Sequence, residues 1–175
     1  MISRLKAFTR KKEAWPIFAA KIAFSLAVFA LIALLLQRYT FGFDSQEDRC
    51  LPDHFFYMID KSDTHMQRGN LYAFQSRNVA PLFEDGDRML KKLVALPGDS
   101  VAITSEQEVI VNGEVIAQGL ELAEIIGRSA ADFVGSGVLG PNQYWFAGET
   151  PTSFDSRYWG VVTHEQIIGR AYPLL

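Results

Sequence analysis

The stretch VIVNGEVI, residues 109–116, decides the fold class. Two short apolar runs, Val109-Ile110-Val111 and Glu114-Val115-Ile116, flank the dipeptide Asn112-Gly113. An Asn-Gly pair between such runs is typical of a two-residue hairpin turn, because both residues tolerate the positive φ that the turn requires. We therefore predict an antiparallel hairpin at this position.

More short apolar runs, separated by turn residues, predict further strands on both sides of the hairpin. They cover residues 54–59, 70–74, 89–96, 144–147 and 166–173. Residues 118–132 are expected to include a short helix. A parallel α/β sheet would need repeated long helical crossovers, which this sequence lacks. The expected fold is therefore mainly β and barrel-like.

The N-terminal part of the chain has a different character. Residues 15–36 read WPIFAAKIAFSLAVFALIALLL, with no charge after Lys21. As a helix these residues would rise about 33 Å, enough to cross a hydrocarbon core of about 30 Å. The bulky residues before Gln37 and Arg38 do not form the small-residue site at which a signal peptide is cleaved. Residues 15–37 are thus predicted to be an uncleaved transmembrane signal anchor; a cleaved signal peptide and a buried soluble helix are the alternatives.

The charges beside this segment predict its orientation. Residues 1–14 contain five basic residues against one acid, whereas Asp44, Glu47 and Asp48 follow the helix. Basic flanks stay on the cytoplasmic side. We expect a single-pass protein of the cytoplasmic (inner) membrane, with a basic cytoplasmic segment over 1–14 and a periplasmic domain over 38–175.

Composition excludes several classes of function. The 175 residues include one cysteine and three histidines, and the net charge is −3. One cysteine cannot form an intramolecular disulfide or a multi-cysteine metal site. A nucleic-acid partner normally demands a basic excess. A multi-cysteine or histidine-rich metal site and a nucleic-acid partner are therefore not expected.

Two segments contain residues suited to chemistry. In a strand through Lys91 and Lys92, one of the two lysines must share a face with apolar residues. Burial would lower the pKa of that lysine and make it a usable base; the alternative is an edge strand with two solvated lysines. Ser153, Asp155 and Arg157 would share one face of an extended strand, where the acid and arginine could pair; the alternative is a surface ion pair and an exposed serine.

In combination, these segments resemble the type I signal peptidase family. KKLVALPGD (91–99) is similar to the lysine box of that family, and SFDSRYWG (153–160) is similar to its carboxy-terminal box. RGNLYAF (68–74), which precedes the lysine box, resembles a strand of the family, and VNGE (111–114), which lies between the two boxes, resembles a family hairpin. The short spacing from Gly148 to Ser153, the small size and the Leu-Pro at 51–52 resemble the conjugative-transfer branch, which processes pilins.

This resemblance implies a role for each matching residue. Lys91 matches the general base, Ser153 the serine that orients the lysine, and Asp155 and Arg157 a supporting pair. Cys50 stands where the family has its nucleophilic serine. Because the thiolate is the nucleophile and a free thiol titrates near pH 8.5, Cys50 could serve in a Cys/Lys dyad; a small buried hydrophobe is the alternative.

The resemblance further implies a membrane-bound peptidase that cleaves a preprotein, specifically a prepilin of a conjugative transfer (type IV secretion) system. The inner membrane bilayer and the conjugation machinery are the expected partners, and the resemblance implies no metal or organic cofactor. A thioester acyl-enzyme favours attack by an amine, so the enzyme could also cyclise the pilin. Asp48 stands where some members use a hydroxyl for the oxyanion, so backbone N–H groups are expected to stabilise it. The alternatives are a general signal peptidase and a catalytically inactive peptidase-fold scaffold.

Overall fold

A computed structural model describes residues 13–46 and 49–175. Its contacts divide the chain into a unit that ends at Gln37 and a second unit, Arg38–Leu175. Of the predicted basic segment 1–14, only Glu13 and Ala14 fall within the described residues, and Asp48 also lies outside them.

The first unit consists mainly of helix α1 (Trp15–Arg38), whose last residue belongs to the second unit. The helix has 24 residues, all exposed, and carries one charge before Arg38. In the described part of the chain it is the one helix long and apolar enough to cross a membrane. Such a helix rises about 36 Å.

The second unit consists of two antiparallel sheets. Seven strands form the large sheet in the order β1-β2-β11-β3-β4-β9-β10, and four form the small sheet in the order β7-β6-β5-β8. The strands are β1 (Tyr39–Phe43), β2 (Phe56–Asp60), β3 (Leu71–Gln75), β4 (Arg88–Ala95), β5 (Ser100–Ile103), β6 (Glu108–Val111), β7 (Glu114–Gln118), β8 (Gly135–Val138), β9 (Gln143–Ala147), β10 (Val162–Thr163) and β11 (Ile167–Pro173). Helix α2 (Ser156–Trp159) is a single turn, and Ala130–Phe133 and His164–Gln166 form 3₁₀ turns.

The prediction of a mainly β fold is confirmed, and the hairpin lies where the sequence places it. Val111 pairs with Glu114, and Asn112 and Gly113 have φ of 51° and 87°. Positive φ at both turn residues is the geometry of a type I′ turn.

One predicted element was wrong, four strands were not predicted, and the barrel-like domain is not closed. Neither sheet closes into a barrel among the described residues, because each ends on strands paired on one side only. The short helix expected within 118–132 is a series of turns followed by the 3₁₀ turn Ala130–Phe133. Strands β1, β5, β8 and β10 were not predicted.

The two faces of the large sheet are packed differently. One face is fully buried: Tyr72, Phe74, Leu93 and Phe146 pack against the small sheet and against α2. The opposite face bears a smaller cluster of Ile59, Ala73 and Ala171. The chain around Cys50 lies near this second face, because the same cavity is lined by Cys50, Ile59 and Ala73.

Candidate active site

Strand β4 separates the two lysines of the Lys91-Lys92 pair. Its residues alternate in burial, with Met89, Lys91, Leu93 and Ala95 on the buried side. Lys91 is buried, with 6% of its surface exposed. Lys92 is half-exposed and forms an ion pair with Glu149 at 2.9 Å. The structure therefore assigns the apolar environment to Lys91.

The Lys91 amine meets Ser153 inside the protein. Lys91 Nζ donates a hydrogen bond to Ser153 Oγ at 3.2 Å, and Ser153 has no exposed surface. These residues stand 62 positions apart in sequence. A buried amine held by a hydroxyl has a fixed position, which a general base requires.

Gly148 brings Cys50 to the same place. A Cβ atom at Gly148 would lie 2.1 Å from Ser153 Oγ and 3.1 Å from Cys50 Cβ. Both side chains thus meet at the bare face of this glycine. The Glu149 N–H also donates to the Cys50 carbonyl at 2.8 Å, which ties the chain at Cys50 to the loop after β9.

Asp155 and Arg157 pair as predicted, but not on an extended strand. Asp155 is the N-cap of α2, and its carboxylate accepts from the Arg157 backbone N–H and from Arg157 Nε and Nη2, both at 2.8 Å. The pair is buried rather than a surface pair. Burial alone would lower the pKa of Arg157, but the hydrogen bonds and charge of Asp155 outweigh it and raise that pKa.

This ion pair shapes the loop that carries Ser153. Asp155 accepts from the Gly148 N–H at 2.9 Å, and Arg157 Nη2 donates to the carbonyls of Thr150 and Ser153. The loop 148–155 is therefore closed by charge-assisted hydrogen bonds, which are stronger than neutral ones. The supporting role of the pair in catalysis stays a prediction.

A cavity of about 780 Å³ opens onto these residues. Cys50 and Lys91 both line it, and so do the hydroxyl-bearing residues Ser45 and Thr152. Its other walls are largely apolar, with Ile59, Ala73, Leu90, Met89 and Phe154 among them.

Sequence reasoning missed Tyr57. This buried residue lines the cavity, and its hydroxyl donates to the His54 carbonyl at 2.9 Å. Burial, with the nearby Asp44 carboxylate, raises its pKa to about 12. Tyr57 thereby holds the chain just after Cys50. The apolar run 54–59 predicts a strand, but nothing in its residue pattern indicates the hydrogen bond from the Tyr57 hydroxyl to the His54 carbonyl.

The described residues contain no group of three His, Cys, Asp or Glu side chains that could hold a metal ion.

Comparison with known proteins decides the family. The family described as "Signal peptidase, peptidase S26" matches residues 15–175. The chain belongs to this signal peptidase family. The match includes α1, both sheets and every residue of the candidate site.

Individual relatives agree with the family assignment. A probable signal peptidase I-2 of Synechocystis is 30% identical over 107 residues, which is 61% of this chain and 46% of that protein. A conjugal transfer protein TraF of Agrobacterium fabrum is 31% identical over 87 residues, which is 49% of this chain and 48% of TraF. This signal peptidase family member spans about half the length of the curated relatives it matches.

A crystal structure of a signal peptidase I from Enterococcus faecalis also matches, with a TM-score of 0.38 and 24% identity, covering 60% of this chain and 95% of that one.

Proposed function

We propose that this protein is a membrane-bound signal peptidase in which Cys50 and Lys91 form the catalytic dyad. The observation that carries the proposal is the buried Lys91 amine, 3.2 Å from Ser153 Oγ, in the same cavity wall as Cys50. Ser153 orients the lysine, and the Asp155–Arg157 pair holds the loop. The active groups would act on the outer side of the cytoplasmic membrane, with α1 as the anchor.

The reaction follows from these groups. Lys91 takes the thiol proton, and Cys50 Sγ attacks the carbonyl carbon of the scissile peptide bond. The carbon–nitrogen bond breaks, the amine leaves with a proton from Lys91, and a thioester remains on Cys50. Water then attacks the thioester, which yields a carboxylic acid and restores the thiol. Backbone N–H groups would stabilise the oxyanion.

The edge of β4 offers a place for the substrate. Strand β9 pairs with β4 only from Lys92 to Ala95, because the chain departs at Gly148. Within the described chain, no strand is paired to that side of residues 88–91, which line the cavity. An extended substrate could add there as a strand, with its side chains against the apolar wall.

The substrate we propose is a prepilin of a conjugative transfer system. The similarity to the TraF protein of Agrobacterium fabrum supports this choice, as does the short loop between Gly148 and Ser153. The acyl thioester would also react with the amino terminus of the same pilin. That step forms an amide, releases the thiol and yields a ring one water lighter than the linear product.

The dyad is tested with the full chain purified in detergent. Wild type, Cys50→Ala and Lys91→Ala are given a prepilin, and mass spectrometry follows both the product and the enzyme. We expect a thioester adduct on wild type and loss of processing by at least 10³-fold in both variants, because the two residues act as a unit. Lys61→Ala, which removes an exposed lysine that lines neither cavity, is the control for general charge effects.

Each rival explanation predicts a different result. Equal processing by wild type and Cys50→Ala would remove Cys50 from the mechanism, and loss in Ser45→Ala alone would transfer the role to Ser45. No processing by wild type would favour a catalytically inactive scaffold. Equal processing of unrelated preproteins would indicate a general signal peptidase. A linear product with free ends would exclude cyclisation.

A further inference from the structure

A second, smaller cavity lies beside the candidate active site. Its volume is about 300 Å³, and Leu51 lines both this cavity and the larger one. Leu51 follows Cys50 directly and is 5% exposed. We call the smaller space the Leu51–Glu149 cavity, after two of its lining residues.

The two cavities share one face of the large sheet, and the larger cavity also reaches Met89 and Lys91 on the other side of β4. Leu71 pairs with Lys92, and Ala73 pairs with Leu90, on the neighbouring strands β3 and β4. Residues two apart on a strand share a face, so these four positions form one surface. The first pair lines the Leu51–Glu149 cavity and the second pair lines the larger cavity.

An endopeptidase must hold its substrate on both sides of the scissile bond. The larger cavity contains Cys50, Lys91, the apolar wall and the open edge of β4, and thus suits the segment before the bond. A chain that passes Cys50 next meets Leu51 and then the Leu51–Glu149 cavity. The loop from Gly148 to Ser153 joins the two spaces, since the Glu149 N–H holds the Cys50 carbonyl.

The charges of the Leu51–Glu149 cavity leave one acid uncompensated. Lys92 is paired with Glu149 at 2.9 Å, and Arg170 is paired with Asp63 at 3.8 Å. Asp53 has no ion-pair partner in residues 13–46 and 49–175. This carboxylate is exposed and lines the cavity.

We propose that the Leu51–Glu149 cavity binds the polypeptide segment that follows the scissile bond, and that Asp53 selects a Lys or Arg among its first residues. This inference rests on the proposed peptidase function. It assigns Asp53 a role in specificity, because Asp53 would contact the leaving segment and not the reacting atoms.

The test uses fluorescence-quenched peptides with an apolar segment that ends in Ala-x-Ala. A single Lys or Glu is placed at each of the first four positions after the scissile bond, and a neutral peptide serves as reference. The full chain in detergent should prefer Lys over Glu in kcat/KM by about fivefold at one of these positions, the scale of one partly solvated charge pair. The preference should shrink in about 0.5 M salt, where the Debye length is shorter.

Asp53→Asn should remove the preference and Asp53→Lys should invert it, each measured as the ratio of kcat/KM between the Lys and Glu peptides within one variant. Glu114→Lys is the matched control, since it makes the same charge change at an exposed residue of the small sheet. An unchanged Lys/Glu ratio in Asp53→Lys, or an equal change in Glu114→Lys, would overturn the inference. Failure of wild type to cleave the neutral peptide would instead overturn the proposed function.

Discussion

Replacing Gly148 by alanine should damage the active site more than any other single added methyl group in loop 148–155. The new Cβ would lie 2.1 Å from Ser153 Oγ and 2.5 Å from Ser153 Cβ. Ser153 is fully buried, so its side chain cannot turn into solvent. It must move by roughly 1 Å, and the Lys91 amine that donates to it must follow or lose its acceptor.

The magnitude follows from two effects. Overpacking a buried site costs about 1–3 kcal/mol of unfolding free energy. A displacement of about 1 Å in a positioning group costs about 10²-fold in rate, equivalent to about 2.7 kcal/mol in the barrier. We therefore expect Gly148→Ala to lower the unfolding free energy by about 2 kcal/mol and kcat/KM by about 100-fold.

The assay combines denaturant unfolding of the full chain in detergent with cleavage of the neutral quenched peptide. Gly137→Ala is the control, because a Cβ there meets nothing within 4 Å. It should keep wild-type activity and change stability by less than about 0.5 kcal/mol. Adding Ser153→Gly to Gly148→Ala clears the overlap and should recover stability but not activity. Activity of Gly148→Ala within threefold of wild type would refute the proposed arrangement of Cys50, Ser153 and Lys91.

Four further variants test other parts of the structure. Hydrogen bonds from Arg38 hold the pKa of Asp60 well below its usual range, so the Asp60 carboxylate stabilises the folded state at pH 7. Asp60→Asn should therefore lower the unfolding free energy at pH 7 and weaken the loss of stability that wild type shows below about pH 4. Unfolding measured as a function of acid pH tests both effects. Tyr57→Phe should lower the unfolding free energy by about 1 kcal/mol at pH 7, because one hydrogen bond is lost. It should also remove the loss of stability that wild type shows between pH 10 and about 12, since the pKa of Tyr57 is raised only in the folded state. Arg157→Lys should cost at least about 2 kcal/mol in denaturant unfolding, because an ammonium cannot reach all the acceptors that the guanidinium binds. Lys91→Met should abolish peptide cleavage yet raise the melting temperature, because a buried polar amine is replaced by an apolar side chain of similar length.

The sequence predicts the regular strands well, for a physical reason. Strands β2, β3, β4 and β9 bury at least one apolar face, so their residues carry the pattern of burial. Strand β8 reads GSGV and is exposed throughout, and it is held by backbone pairing with β5. Backbone pairing leaves no pattern in the side chains, so a strand of this kind cannot be recognised from composition.

Some features of the candidate site can be predicted from the sequence, and others cannot. Residue types and their local spacing indicate a lysine with an apolar neighbourhood and an acid–arginine pair. They cannot choose between Lys91 and Lys92, because that choice depends on where Ser153 folds back onto β4. They also cannot reveal Tyr57, or the Leu51–Glu149 cavity, whose walls come from loops and strand ends far apart in the chain.

The burial of Lys91 argues against an inactive scaffold. Taking an ammonium out of water costs several kcal/mol unless it is paired and fully hydrogen-bonded. Within residues 13–46 and 49–175, Lys91 has no ion-pair partner, and its recorded hydrogen bond goes to one neutral hydroxyl. Its neighbour Lys92 shows the ordinary arrangement, half-exposed and paired with Glu149. A fold that needed only stability would be better served by an apolar residue at position 91, so the retained amine is best explained by the proton transfer that we propose for it.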